Sequence, residues 1–316
     1  MTFEEANRLF RDNQILALAA DPDGLRYLYI RSLCRKEHLL QLFSAAHVPP
    51  SPTVSRELFR EAFNTRIITL ELIRRVIRQI FEASRRSRRH DEETLINNLY
   101  RLDVFDWGGL HQNSLEKTIV NNYVKKIKEY DAICDKIDND LHMSLRGYVL
   151  NSWYNHWTSI IIEDTFRDHD KVLPSVGLVK KIDFFINNTP FDLKVTYFPE
   201  GFVKDQRRNT GRKSELTLLK RSARTNNIAI NRELPEARLL QDMWMKHNDH
   251  PKARDIIDDL REFRLQLLRE CRENPVALIK WLYENQGERR FDASNRIFLV
   301  LYDRMNFFDS WKLKRA

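Results

Sequence analysis

The sequence predicts an α+β fold: a mixed central sheet flanked by helices, with a further helical region at the N-terminus. Three observations carry this. Residues 179–198, VKKIDFFINNTPFDLKVTYF, read as two strands joined by a tight turn. Residues 295–303, NRIFLVLYD, are a short apolar run of strand length. Much of the remainder places apolar residues at helical spacing.

Residues 1–48 read as helical and end at Pro49-Pro50-Ser51-Pro52, which breaks any helix and reads as a linker. Residues 55–84 read as one long helix, with Phe63, Ile67, Leu70, Ile73, Ile77 and Ile80 forming a single apolar stripe. Arg85, Arg86, Arg88 and Arg89 crowd its expected end. Cations there suit the C-terminal helix dipole and can equally clamp phosphates. Residues 92–145 read as helical again, with a turn at Trp107-Gly108-Gly109.

Residues 147–166 contain no Pro and no Gly after Gly147, and read as a mostly buried helix. Trp153, Trp157 and Ile161 are its expected core stripe, while His156 and Glu163, seven apart, share a face. His156 reads as a packed or hydrogen-bonded histidine. Glu163 stands in the last turn, suited either to a salt bridge or to a site beyond the helix end.

Side chains alternate along a strand, so Asp192, Lys194 and Thr196 point one way while Phe191, Leu193, Val195 and Tyr197 point the other. The preceding strand carries Ile182, Phe184, Phe185 and Ile186 and is apolar on both faces, as in a central strand. Asn187, Asn188 and Pro190 are turn residues. A loop of Asn187-Asn188 sets Asp183 opposite Asp192, and a loop of Asn187 to Pro190 sets it opposite Lys194. Either even loop keeps all three on one face, whereas a one-residue slip sends Asp183 to the other.

Beyond the hairpin the chain turns basic. Lys204, Arg207, Arg208, Arg212, Lys213, Lys220, Arg221 and Arg224 are set against only Asp205 and Glu215. This reads as a loop leaving the strand that bears Lys194, with Asn209, Asn226 and Asn227 able to pair with adenine edges; a flexible surface loop is the plain alternative. Residues 252–285 return to helices broken near Asn274-Pro275, and the run 295–303 reads as a buried strand beside the hairpin, reached by a helical crossover. The tail, WKLKRA, suits contact with a polyanion or cover for a sheet edge.

The chain has 316 residues, 42% of them hydrophobic, enough for a substantial core. Its 53 basic and 45 acidic residues give a net charge of +8, which fits a polyanionic partner without choosing DNA over RNA. Cys34, Cys134 and Cys271 are isolated and odd in number, so a reducing, cytoplasmic setting without a disulfide framework is expected. MTFEEANRLF lacks the apolar run of a secretion signal, and no stretch has the length of a membrane span. A P-loop, G-x-G-x-x-G, G-x-S-x-G and H-E-x-x-H are all missing, which argues against nucleotide hydrolysis, dinucleotide chemistry, an esterase elbow and a zincin site.

Two carboxylates and an ammonium on one sheet face are the parts needed to hold Mg²⁺ and activate water beside a phosphodiester. Asp183 and Asp192 would supply oxygens, the Leu193 carbonyl another, and Lys194 would orient the attacking water. Asp192-Leu193-Lys194 is the sole acid-x-Lys triplet in the sequence, and it falls inside the most strand-like hairpin. The plain alternative is a surface hairpin with an ordinary Asp–Lys pair.

Asp183 followed by Asp192-x-Lys194, with a helix ahead of them, resembles the PD-(D/E)xK nuclease superfamily, and type II restriction endonucleases within it. The resemblance covers residues 145–200, and Ile182 stands where the family name has Pro. It implies a restriction-endonuclease-like core. It also implies metal binding by Asp183 and Asp192, action of Lys194 on the nucleophilic water, and an acid from the preceding helix. Glu163 is the best match for that acid and Glu116 the second. The implied organisation is a helical region at 1–95, suited to DNA contact or dimerisation, and a catalytic domain at 96–316 with a basic, mostly helical insertion at 203–290. The expected activity is Mg²⁺-dependent cleavage of double-stranded DNA by a site-specific enzyme. A homodimer would match palindromic sites. A non-cleaving nucleic-acid binder and a nonspecific repair or phage-defence nuclease are the alternatives.

Overall fold

The computed structural model describes every residue except 104–118, 178, 180–181, 235, 286–294 and 316. Among the described residues there are thirteen α-helices and an open, mixed sheet of four strands in the order β1-β2-β3-β4. The strands are β1 (Val172–Pro174), β2 (Phe184–Ile186), β3 (Thr189–Tyr197) and β4 (Asn295–Leu301). The chain divides into two units, 1–193 with 292–297 and 314–316, and 194–291 with 298–313, so the division falls inside β3 and β4.

In the first unit, α1 (Phe3–Arg11), α2 (Ile15–Ala20), α3 (Pro22–Ser32), α4 (Lys36–Ala45) and α5 (Ser55–Asn64) precede α6 (Leu70–Leu99). A capping box of Thr2 and Glu5 starts α1, and Asp21 with Pro22 starts α3. Their apolar faces form one core with Leu173, Val179, Ile182 and Phe185 of the sheet region.

The single helix expected over 55–84 is two. Residues 65–69 interrupt it, and Ile67, expected on the stripe, is 65% exposed. The break is held from within: buried Arg26 donates to the carbonyls of Ala62 and Phe63, which the end of α5 leaves without helical partners, and to those of Thr65 and Ile68 in the break itself. Thr69 then caps α6 by accepting the Leu72 amide.

The second helix runs past 84 to Leu99. Ile73, Ile77 and Phe81 recur at four-residue spacing, and Arg85 takes the next buried position. The stripe continues as charge because α8 (His142–Arg167), which follows α7 (Tyr130–Lys136), presents Asp164 beside its C-terminal residue, with Asp168 just beyond. Arg88 grips Asp164 with two bonds, of 2.6 and 2.9 Å. Arg85 reaches Asp168 at 3.2 Å and also pairs with Glu92, and Arg89 reaches Asp168 at 2.9 Å. Arg78 donates to the carbonyls of Arg167, Asp170 and Val172, tying α6 to the end of α8 and the start of β1. The helix expected over 147–166 is present, but Tyr154, Thr158 and Asp164 are its buried side chains. Trp153, Trp157 and Ile161 are half-buried.

In the second unit, α9 (Glu200–Asn209) and α10 (Glu215–Thr225) occupy the stretch expected as a basic loop. Ser214 caps α10. α11 (Glu236–Asn248), α12 (Arg254–Glu273) and α13 (Val276–Asn285) follow, with the break at Asn274-Pro275 where the sequence puts it. Arg264 is 1% exposed, bonds both carboxylate oxygens of Glu200 and of Glu215, and lies over the rings of Trp244, Phe307 and Phe308. Burial opposes its charge, but the two glutamates outweigh that and hold the guanidinium above its ordinary pKa. β4 is half-buried along its length, not buried as its apolar run suggests.

Asp164 is 1% exposed, so Asp164→Ala leaves the Arg88 guanidinium without its buried partner, while Arg85 keeps Asp168 and Glu92. It is expected to cost about 3 kcal/mol in urea unfolding, whereas Arg89→Ala, removing a largely exposed partner, is expected to cost no more than about 0.5 kcal/mol. Burial raises the Asp168 pKa, but hydrogen bonds from Arg85 and Arg89 outweigh it, so the folded value lies below the ordinary one. Its contribution is therefore present above the ordinary aspartate range and lost as pH falls through the lower folded value. Asp168→Asn should flatten that acid limb of the stability curve.

Candidate active site on the β2–β3 hairpin

The hairpin is closed by Asn187 and Asn188, with φ of 48° and 69°. Two successive positive φ values make the turn whose twist matches the flanking strands, and asparagine tolerates them better than most residues. The ladder pairs Ile186 with Thr189, Phe185 with Pro190 and Phe184 with Phe191. The loop is the two-residue alternative, and Pro190 is a residue of β3, not of the turn. Phe184 stacks on Phe166 of α8, and Phe185 meets Tyr29 edge to face, so each face of β2 is covered by an aromatic ring.

Extending this register by one residue sets Asp183 across from Asp192. Asp183 itself steps out of the ladder: its amide donates to the Phe191 carbonyl at 2.9 Å, one residue short of that partner. Such an offset bends a strand and re-aims its side chain. The Asp183 carbonyl accepts from the Ser175 amide at 3.0 Å and from Arg167 Nε at 3.3 Å. Its carboxylate accepts the Leu193 amide at 2.7 Å. The acid group therefore rests on the main chain of the residue between Asp192 and Lys194.

Asp192 is 6% exposed and lies 3.3 Å from Arg296 Nε on β4. Glu163 is bound by Arg167 at 2.7 Å, and the same guanidinium reaches the Asp183 carbonyl, so Glu163 is joined to the Asp183 main chain through one side chain. Lys194 is exposed and follows Leu193 directly in β3, as the first residue of the second unit. Glu116 lies outside the described residues. Among the described residues no three His, Cys, Asp or Glu side chains converge on one point. The cluster offers a pair of carboxylates and main-chain carbonyls. Those are hard oxygen donors of the kind Mg²⁺ takes, one or two carboxylates with the rest of its shell water.

Nothing in the sequence pattern marks Arg167 or Arg296 as the counter-charges of these acids; an arginine at a helix end and another at a strand start are unremarkable until pairing is known. The basic groups expected to touch DNA fare unequally. Arg85 is buried and, with Arg88 and Arg89, is committed to Asp164 and Asp168; these three are struts within the first unit rather than a free cluster at a helix end. Arg86 is exposed. In the second unit Arg207 is buried, donates to the Lys213 carbonyl and packs over Phe263, so it is structural. Lys204 pairs with Glu236 and Arg208 with Asp205, while Asn209, Arg212 and Lys213 are exposed.

Comparison with known proteins finds no family model, curated protein or solved structure that matches this chain. No described helix is long and apolar enough to cross a membrane.

The turn supports a direct test. Asn187→Gly should leave stability within about 0.5 kcal/mol, since glycine adopts positive φ freely. Asn187→Val should cost about 1–2 kcal/mol, since a branched side chain resists it. Equal unfolding midpoints for the two variants would show that this backbone conformation does not hold the hairpin.

Proposed function

We propose that the chain is a Mg²⁺-dependent endodeoxyribonuclease of the PD-(D/E)xK type, acting on double-stranded DNA at specific sites in the manner of type II restriction endonucleases. One observation carries the reading: the Asp183 carboxylate is seated on the Leu193 amide, inside the sole acid-x-Lys triplet of the sequence. Asp183 and Asp192 would hold the ion with the Leu193 carbonyl. The ion would lower the pKa of a bound water and offset charge developing on the phosphate. Lys194, two residues along β3 from Asp192, would orient that water, and Glu163 would steady Asp183 through Arg167. A sheet of four strands with β4 beside β3 suits a restriction-endonuclease-like core. Palindromic targets would call for a homodimer.

A second reading has its own support. Asp192 is buried against Arg296, an arrangement that needs no metal, and it suits a nucleic-acid-binding protein that does not cleave.

Supercoiled plasmid and phage DNA incubated with Mg²⁺, against an EDTA control, separate the two. Discrete fragments support a site-specific enzyme, a smear a nonspecific nuclease, and intact but bound DNA the second reading. Asp183→Asn, Asp192→Asn and Lys194→Ala are each expected to slow cleavage at least about a hundredfold while leaving DNA binding largely intact. Cleavage by Asp192→Asn at the unsubstituted rate would remove this site from consideration.

A further inference from the structure

Along α6 and the segment from Asp168 to Leu173 run two adjoining grooves of about 500 Å³ each, sharing Arg78 and Asp170. Their walls carry arginines at 74, 75, 78, 85, 86 and 89, against Glu71, Glu82, Asp168 and Asp170. The arginines differ in what they are bound to. Arg85 and Arg89 are neutralised by Asp168, and Arg75 lies 3.7 Å from Glu71. Arg78 is bound by main-chain carbonyls, which orient its guanidinium without cancelling its charge. Arg74 and Arg86 are exposed and make no hydrogen bond or ion pair with the described residues. Arg74, Arg78 and Arg86 thus leave a line of uncompensated positive charge on one side of a single rigid helix. From 74 to 86 it spans about 18 Å, at 1.5 Å per residue.

We propose that this groove is a track for the phosphate backbone of a nucleic acid, with Arg74 and Arg86 as its contacts and Arg78 as a fixed charge between them. The span equals roughly five base-pair steps of 3.4 Å measured along a duplex axis, which leaves room for contacts to more than one phosphate. Guanidinium forks match phosphate oxygens in geometry as well as charge. An acidic peptide is disfavoured, because the lining offers Leu70, Phe81 and Leu173 but no deep apolar pocket for a side-chain anchor. The proposal shares its nucleic-acid partner with the proposed function but not the hairpin chemistry, and the two fail separately.

The test is fluorescence anisotropy of a labelled DNA duplex, in EDTA, across a salt series. The variants are Arg74→Ala with Arg86→Ala, and, as a control of equal charge change outside the groove, Arg11→Ala with Arg56→Ala. Both substituted pairs are exposed, and unchanged unfolding midpoints confirm that the fold is kept. The groove pair is expected to bind at least tenfold more weakly, with the slope of log affinity against log salt reduced by about 2, near 0.9 per lost phosphate contact. The control pair should lose less than threefold. Groove and control variants binding alike would overturn the track. So would an unsubstituted protein that binds an acidic peptide but no duplex. Plasmid nicking with Mg²⁺ is measured in parallel. Weakened binding by the groove pair, with no nicking by the unsubstituted protein, keeps the track and sinks the nuclease reading. Nicking with undiminished binding by the groove pair does the reverse.

Discussion

The candidate site depends on the pairing of Phe184 with Phe191 across a two-residue turn. A turn with two positive φ values leaves its strands little choice of register, and in a sheet one residue of slip exchanges the two faces. The aromatic cover on both sides reinforces it: Phe184 against Phe166, Phe185 against Tyr29. Tyr29 also donates to the side chain of Asn188, so the helical core holds the turn directly. Within this fixed frame Asp183 alone steps aside. Its main chain is bound from three directions, by Phe191, Ser175 and Arg167, and its carboxylate by Leu193. A carboxylate so held has little freedom left to lose when it binds something, which is the condition for a preorganised site.

Many arginines elsewhere in the molecule serve its architecture. Arg26 collects four carbonyls from the end of α5 and the break after it, Arg78 three near the end of α8, and Arg315 those of Leu99 and Leu102. Arg85 and Arg88 join α6 to α8, and Arg264 gathers two glutamates within the second unit. The planar five-donor guanidinium satisfies several acceptors at once, which lysine cannot do with the same geometry. A net charge of +8 is therefore an unsafe guide to polyanion binding: what matters is where cations remain exposed and uncompensated.

This explains what the sequence makes legible. Periodicity and turn residues reveal the hairpin, the β4 strand, the α12–α13 break and the helix of 147–166, because each is a local pattern. The break at 65–69 is hidden because an apolar stripe runs through it and its cause, Arg26, lies about forty residues upstream. The continuation of α6 to Leu99 is hidden because arginine replaces isoleucine on the buried face, and its partners are on a distant helix. β1 is only three residues long and has no alternation to read. The acids and lysine at 183, 192 and 194 stand out by spacing. The arginines at 167 and 296 do not, since a counter-charge is recognised by proximity and not by pattern.

Those two arginines sharpen the choice between hydrolysis and simple binding. Asp183 ends at the amide next to Asp192, so two carboxylates lie along one short stretch of main chain, where like charges repel. Arg296 lies against one acid and Arg167 holds the main chain of the other, and both supply positive charge that offsets the repulsion. A divalent ion placed between the acids would do the same work more strongly and would compete with Arg296 for Asp192. In a protein that only binds, the arginine is a permanent counter-ion and the buried pair a matter of stability. In an enzyme a metal would have to take its place at Asp192, and parting a buried pair is costly unless the freed guanidinium meets another anion such as a phosphate. Both readings use the same pair of residues. They differ in whether the acids prefer an arginine or a hard cation, and that balance is set by the two strands that fix their separation.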